Sequence, residues 1–236
     1  MYLIRCFHNR ETKKYHFGIR SVWVWFMAAL ILLWAGVTAG RPAYDQKPDK
    51  GPTEYEMKAV FIYNYLKYTV WPEDKVKPNG KDKEQVQAEP IVVGVIGKDP
   101  FGKAWKKIEG KKVNDRKIVI RQLGEFDKLS VKPDKSKGPY SRQDLKKCRV
   151  LFICPSEEKN LKKIIDLVKT SSVMTVGQTS GFLEKGGIVN FLLEKKKVCF
   201  EINLDAAKLA QLQIKTTVLK LAKRVLQKKK TKTSRD

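Results

Sequence analysis

From Thr53 to Val70 apolar residues recur at helical spacing. Ala59, Ile62, Tyr63, Leu66 and Val70 share one face, which predicts an amphipathic helix. Thr53 and Glu56 have capping-box spacing at its start, where a hydroxyl and a carboxylate satisfy free backbone N–H groups. Pro72 stops the helix. At 91–96 the pattern becomes a continuous apolar run of buried-strand length. Asp99-Pro100 offers a cap with proline at the first helical position, leading into a short helix through Trp105 and Ile108. Residues 117–122 alternate and read as a strand, and 148–154 form a second buried strand. Ser156 opens a helix with Leu161, Ile164, Ile165 and Val168 inward. A short strand is expected at 173–176, a loop at 177–187, and a hairpin from 188–193 and 198–202 across Glu194-Lys195-Lys196-Lys197. Two helices, around 206–210 and 216–227, are expected to finish the chain.

Strands alternating with helices at these spacings predict a single α/β domain, a mixed, mostly parallel β-sheet flanked by helices. The final hairpin is what makes the sheet mixed. Two lysine-rich inserts, 75–90 and 127–147, interrupt the pattern, and no internal repeat is present.

The N-terminus reads as an export signal. Arg5, Arg10, Lys13, Lys14 and Arg20 precede an apolar run at 22–37, and Val37-Thr38-Ala39 has the small-x-small pattern of a signal-peptidase site. The run is shorter than the roughly 20 residues that span a bilayer. An uncleaved inner-membrane anchor is the competing reading, given the long basic flank and Trp23, Trp25 and Trp34. The expected organisation is a signal peptide at 1–39, a linker at 40–52, the domain at 53–227 and a basic disordered tail at 228–236. The expected location is the periplasm.

Of the 49 basic and 25 acidic residues, 1–39 hold five and one, which leaves 44 against 24, a net charge of +20. Such a charge suits an anionic partner or plain solubility. Nucleic acid is not expected as a partner, because the lysines are spread over loops and helix faces without interleaved aromatic residues.

The candidate chemistry is sparse. His8 and His16 are the only histidines, and both precede the apolar run. The domain therefore lacks the imidazole of a Ser-His-Asp or Cys-His site and any histidine-ligated metal. Glu184, Glu194, Glu201 and Asp205 show no spacing that selects a catalytic pair. Residues 97–103 have G-x-x-x-x-G-K spacing, but Ala104 stands where a phosphate loop needs Ser or Thr, and Pro100 removes a backbone donor. No catalytic residue, cofactor or metal is expected.

Four stretches carry a family resemblance: the helix ending in Trp71-Pro72, the run from Val92 to Phe101, the run from Cys148 to Ile153, and residues 173–221. In this order they resemble the YfiR family of exported bacterial proteins, over about 54–226. The resemblance implies a non-enzymatic regulator or sensor that binds and inhibits an inner-membrane signalling enzyme. That enzyme would be a diguanylate cyclase, with control of cyclic di-GMP and biofilm, or a histidine kinase. It also implies release toward an outer-membrane lipoprotein and a possible homodimer. The alternative is a free-standing periplasmic binding protein for a small solute or an anionic envelope polymer.

Partner-binding candidates are Trp71 and Pro72 at the helix end, and Phe182, Glu184 and Lys185 in the glycine-rich loop. Trp71 reads first as a core residue that ends the helix, and Phe182 reads equally as a residue packed inward. Cys148, Cys154 and Cys199 could supply a disulfide in an exported protein. A strand between Cys148 and Cys154 holds them about 20 Å apart, which leaves a cross-strand bond to Cys199 as the more reasonable geometry. The resemblance implies instead a local disulfide just after the strand that starts at Cys148, although Cys154 here lies within the apolar run.

Overall fold

The computed structural model describes residues 51–75, 89–134, 136 and 138–228. Cys6, the expected export signal, most of the linker, residues 76–88 of the first insert and 229–236 of the tail lie outside the described residues.

The first helix, α1 (Glu54–Tyr68), begins as its sequence requires. The Glu56 N–H donates to Thr53 Oγ1 at 3.3 Å, and the Thr53 N–H donates to Glu56 Oε2 at 2.8 Å. Its inward face carries Ala59, Ile62, Tyr65 and Leu66. The chain then turns extended in β1 (Thr69–Val70), and Pro72 opens a 3-10 turn over Pro72–Lys75.

Eight strands form the main sheet. They are β2 (Ile91–Ile96), β3 (Lys112–Val113), β4 (Arg116–Gly124), β5 (Val150–Ile153), β6 (Met174–Gly177), β7 (Val189–Glu194), β8 (Lys197–Asn203) and β10 (Arg224–Leu226). Their spatial order is β10-β8-β7-β6-β5-β2-β4-β3. The β7–β8 and β3–β4 pairs are antiparallel and the other neighbours are parallel. This is the expected mixed, mostly parallel α/β sheet. A separate antiparallel pair joins β1 to β9 (Gln213–Ile214).

Both sheet faces are covered, and β2 shows why its sequence is apolar throughout. Ile91, Val93 and Val95 enter the core that contains α1 and the 3-10 helix Gly102–Lys107. Val92 and Ile96 enter the opposite core, beneath α2 (Leu161–Val168) with Leu161, Ile164, Ile165 and Val168 inward. The second lysine-rich insert belongs to this face too. Its Leu129 and Leu145 are buried, and Ser141 caps the 3-10 helix Arg142–Lys147 by exchanging hydrogen bonds with Asp144.

The C-terminus departs from expectation. Residues 204–209 form α3 (Leu204–Leu209), but the helix expected over 216–227 is one turn, α4 (Thr216–Leu219), followed by β10. The open edge of β8 decides this. Pairing Arg224, Val225 and Leu226 with Glu201, Ile202 and Asn203 satisfies backbone groups that a continued helix would leave bare. Among the described residues no helix is long and apolar enough to cross a membrane.

Candidate functional site

The loop between β6 and β7 is built around Phe182, whose ring is fully buried. A Cβ added at Gly177 would lie 2.3 Å from one edge of that ring, and a Cβ at Gly187 would lie 2.1 Å from the other. Glycine at both positions therefore lets two backbone segments close on the phenyl group. Backbone bonds from Gly187 to Phe182 O (2.9 Å) and from Gly186 to Leu183 O (3.0 Å) shut the turn. Thr175 Oγ1 accepts the Ile188 N–H at 3.0 Å, and Asn203 Nδ2 donates to Leu183 O at 3.0 Å while its Oδ1 caps α3.

The start of the loop is pinned from α1. The buried Lys58 ammonium donates to Gln178 Oε1 at 2.6 Å, pairs with Glu54, and sits 4.7 Å from the Tyr55 ring centre. What the loop presents outward is Glu184, with Lys185 half-buried beside it. The Arg224 guanidinium bridges Glu184 (3.0 Å) and Glu201 (2.8 Å), fastening the loop to the edge strand β10. The loop's own backbone and Arg224 hold the Glu184 carboxyl below the usual range, and the same two carboxylates push Arg224 up. Arg224 and β10 were not anticipated, since this stretch carries helical spacing and only the position of β8 turns it into a strand.

Trp71 lies at the opposite end of the sheet. Its indole N–H donates to Ser172 O at 3.0 Å, before β6 begins, whereas Gly177 ends that strand. Five residues of strand place the two regions about 17 Å apart, so the expected contact residues do not form one patch. Trp71 is buried, with the Arg149 guanidinium 5.0 Å from its ring centre and paired to Asp74 at 2.9 Å. For both Trp71 and Phe182 the core reading describes their placement. Their rings are closed to direct contact in this conformation, while Pro72, Glu184 and Lys185 are at least partly exposed.

The three cysteines of the domain lie at and between the strands. No two of Cys148, Cys154 and Cys199 are joined. Cys199 lies on β8, three strand spacings from β5, or about 14 Å, which is too far for a bridge to either end of β5. Burial pushes the Cys148 and Cys154 thiols up to about 12, so both behave as small apolar groups.

The 97–103 turn uses its donors internally. The Gly97 N–H donates to Gly124 O (2.8 Å), Lys98 N–H to Ser156 Oγ (2.8 Å) and Phe101 N–H to Asp99 Oδ1 (2.9 Å). Asp99 Oδ2 also accepts from Trp105 Nε1 (2.9 Å) and Gln122 Nε2 (2.7 Å). The carboxyl end of β2 is thus a locked turn and not a phosphate cradle.

The architecture and the order of its motifs agree with a match of residues 55–223 to the family model described as YfiR/HmsC-like. The chain belongs to the YfiR/HmsC-like family. That family is generally regulatory and non-catalytic, and its members typically act with a partner sensor protein. No curated protein matches the sequence. A solved "conserved domain protein" from Vibrio cholerae O1 biovar eltor is similar over 74% of this chain and 60% of its own, at 12% identity and a TM-score of 0.48. An "ABC domain in complex with L-Trp" from Streptococcus pneumonia is similar over 58% and 55%, at 10% identity and a TM-score of 0.41. The chain spans 60% and 55% of those two structures, and neither likeness bears on what it binds.

Proposed function

We propose that this chain is an exported, non-enzymatic regulator that binds the periplasmic sensor portion of an inner-membrane diguanylate cyclase and holds the enzyme off. The observation that carries the reading is the YfiR/HmsC-like match across 55–223. A histidine kinase with a periplasmic sensor is the other target class, an outer-membrane lipoprotein the relieving partner, and a second copy of the chain a further partner, in a homodimer.

The contact proposed is the loop surface at Glu184 and Lys185 with the neighbouring edge of β10, together with Pro72 at the far end of the sheet. Support comes from the way the loop is held. Phe182 anchors it, Lys58 fixes its first residue and Arg224 ties it to the sheet, so its outward groups are pre-organised for binding. An exposed edge strand also suits strand addition by a partner. Inhibition works by binding the inactive conformation of the enzyme better than the active one, and its strength is capped by that difference in affinity.

The test is cyclic di-GMP content, measured by mass spectrometry in the native organism. Deleting the gene raises it and restoring the gene lowers it. Unchanged content in both strains contradicts the cyclase reading.

A further inference from the structure

A cleft of about 590 Å³ opens at the amino ends of β2, β5 and β6, on the sheet face that carries α2. Its walls bring together Arg116, Arg121, Lys146, Lys147 and Arg149, against one lining carboxylate, Glu89. Three of these cations are engaged by acceptors. Arg116 Nε donates to Glu89 O at 2.6 Å, Lys147 pairs with Asp144 at 2.8 Å, and Arg149 pairs with Asp74 at 2.9 Å. Among the described residues Arg121 and Lys146 have no hydrogen-bond or ion-pair partner.

Arg121 is the telling group. It stands on β4 opposite Gly94, and the residue is half-buried. A guanidinium carries five donors and cannot shed its charge, so at the wall of the cleft it can offer an anion two parallel charge-assisted hydrogen bonds. Converging like charges in a concave wall also raise the local potential for a multiply charged anion. The volume lies within the range of roughly 300–1,000 Å³ usual for small-molecule sites, well above what a bare anion fills. The carboxyl ends of the strands, where open α/β sheets usually bind ligands, are closed here by Ser156 and Glu157 packed on Gly97.

We propose that this cleft binds a small phosphate-bearing molecule, with Arg121 and Lys146 as its phosphate ligands. The inference stands apart from the regulator reading, since a ligand site can belong to a regulator or to a binding protein.

The test uses the full chain at low ionic strength and two probes: pyrophosphate followed by calorimetry, and phosphatidylglycerol vesicles followed by co-sedimentation. Arg121→Gln and the exposed Lys146→Gln are compared with Lys208→Gln on α3. The expected result is saturable one-to-one binding, weakened about tenfold or more by either cleft variant, as for loss of one charge-assisted contact, and unchanged by Lys208→Gln. That pattern with pyrophosphate alone identifies a soluble phosphate ester, and with vesicles alone a lipid headgroup. Lys146→Gln leaves the core untouched and serves as the test if Arg121→Gln fails to fold. Equal weakening in all three variants, or no binding of either probe, overturns the proposal.

Discussion

Replacing Gly187 by alanine isolates the close approach on which the β6–β7 loop depends. The φ of Gly187 lies outside the left-handed region, so alanine brings no backbone strain there. The added methyl would meet Phe182 at 2.1, 2.2 and 2.8 Å. The ring cannot slide away, because Gly177 already closes on its other edge, where a Cβ would stand 2.3 Å from it. Overpacking a filled core costs about 1–3 kcal/mol. With the ring clamped on two sides the expected value is the upper end, about 3 kcal/mol, or roughly a hundredfold in the folding equilibrium. For a domain of this size that lowers the thermal midpoint by about 6–12 °C.

The assay is urea unfolding with the slope held constant, run as a double-mutant cycle with Phe182→Ala. Phe182→Ala alone should cost about 3–5 kcal/mol. With the ring gone, Gly187→Ala should cost less than about 0.5 kcal/mol or turn slightly stabilising. Wild-type stability of Gly187→Ala, or the same cost in both backgrounds, would refute the clamp.

Three further outcomes are expected. Trp71→Phe loses the indole bond to Ser172 O and should destabilise by about 1–3 kcal/mol in urea unfolding; no change would mean that Ser172 O finds another donor. Arg224→Ala removes an exposed pair and should cost no more than about 1 kcal/mol globally, yet amide exchange at Val225 and Leu226 should quicken while β5 stays protected. Glu56 is held below the usual carboxylate range by the Thr53 N–H and by Lys107. A depressed folded value means its stabilisation is present above the ordinary carboxylate value and lost as pH falls through the folded one. Glu56→Gln should therefore flatten the urea midpoint across the acid range below about pH 4.5, and an unchanged pH profile would contradict that role.

Much of the sheet is legible in local pattern. The run of apolar residues in β2 and β5, the capping box at Thr53 and the β7–β8 hairpin each follow from residue type and spacing, because burial on two faces leaves few other solutions for such segments. The end of the chain is not legible in the same way. Val218, Leu219, Leu221, Ala222 and Val225 suit a helix as well as a turn followed by a strand, and the choice rests on an unpaired edge of β8 that no local window contains. The site residues divide along the same line. Glycines at 177, 181, 186 and 187 announce a tight loop, but whether Phe182 points in or out depends on what lies across it. The distance from Cys199 to the cysteines flanking β5 is a global property too, because strand order separates β8 from β5. The basic cleft was invisible because Arg116, Arg121 and Lys146 converge only after the sheet is assembled.

The most direct measurement is in-cell crosslinking of the tagged full-length protein, followed by mass spectrometry of what is captured from the membrane fraction. The account predicts a membrane protein with a periplasmic sensor domain and a cyclase or kinase output, its capture reduced by substitutions at Glu184 and Lys185. Recovery of envelope polymer alone, or of no membrane protein, would contradict it.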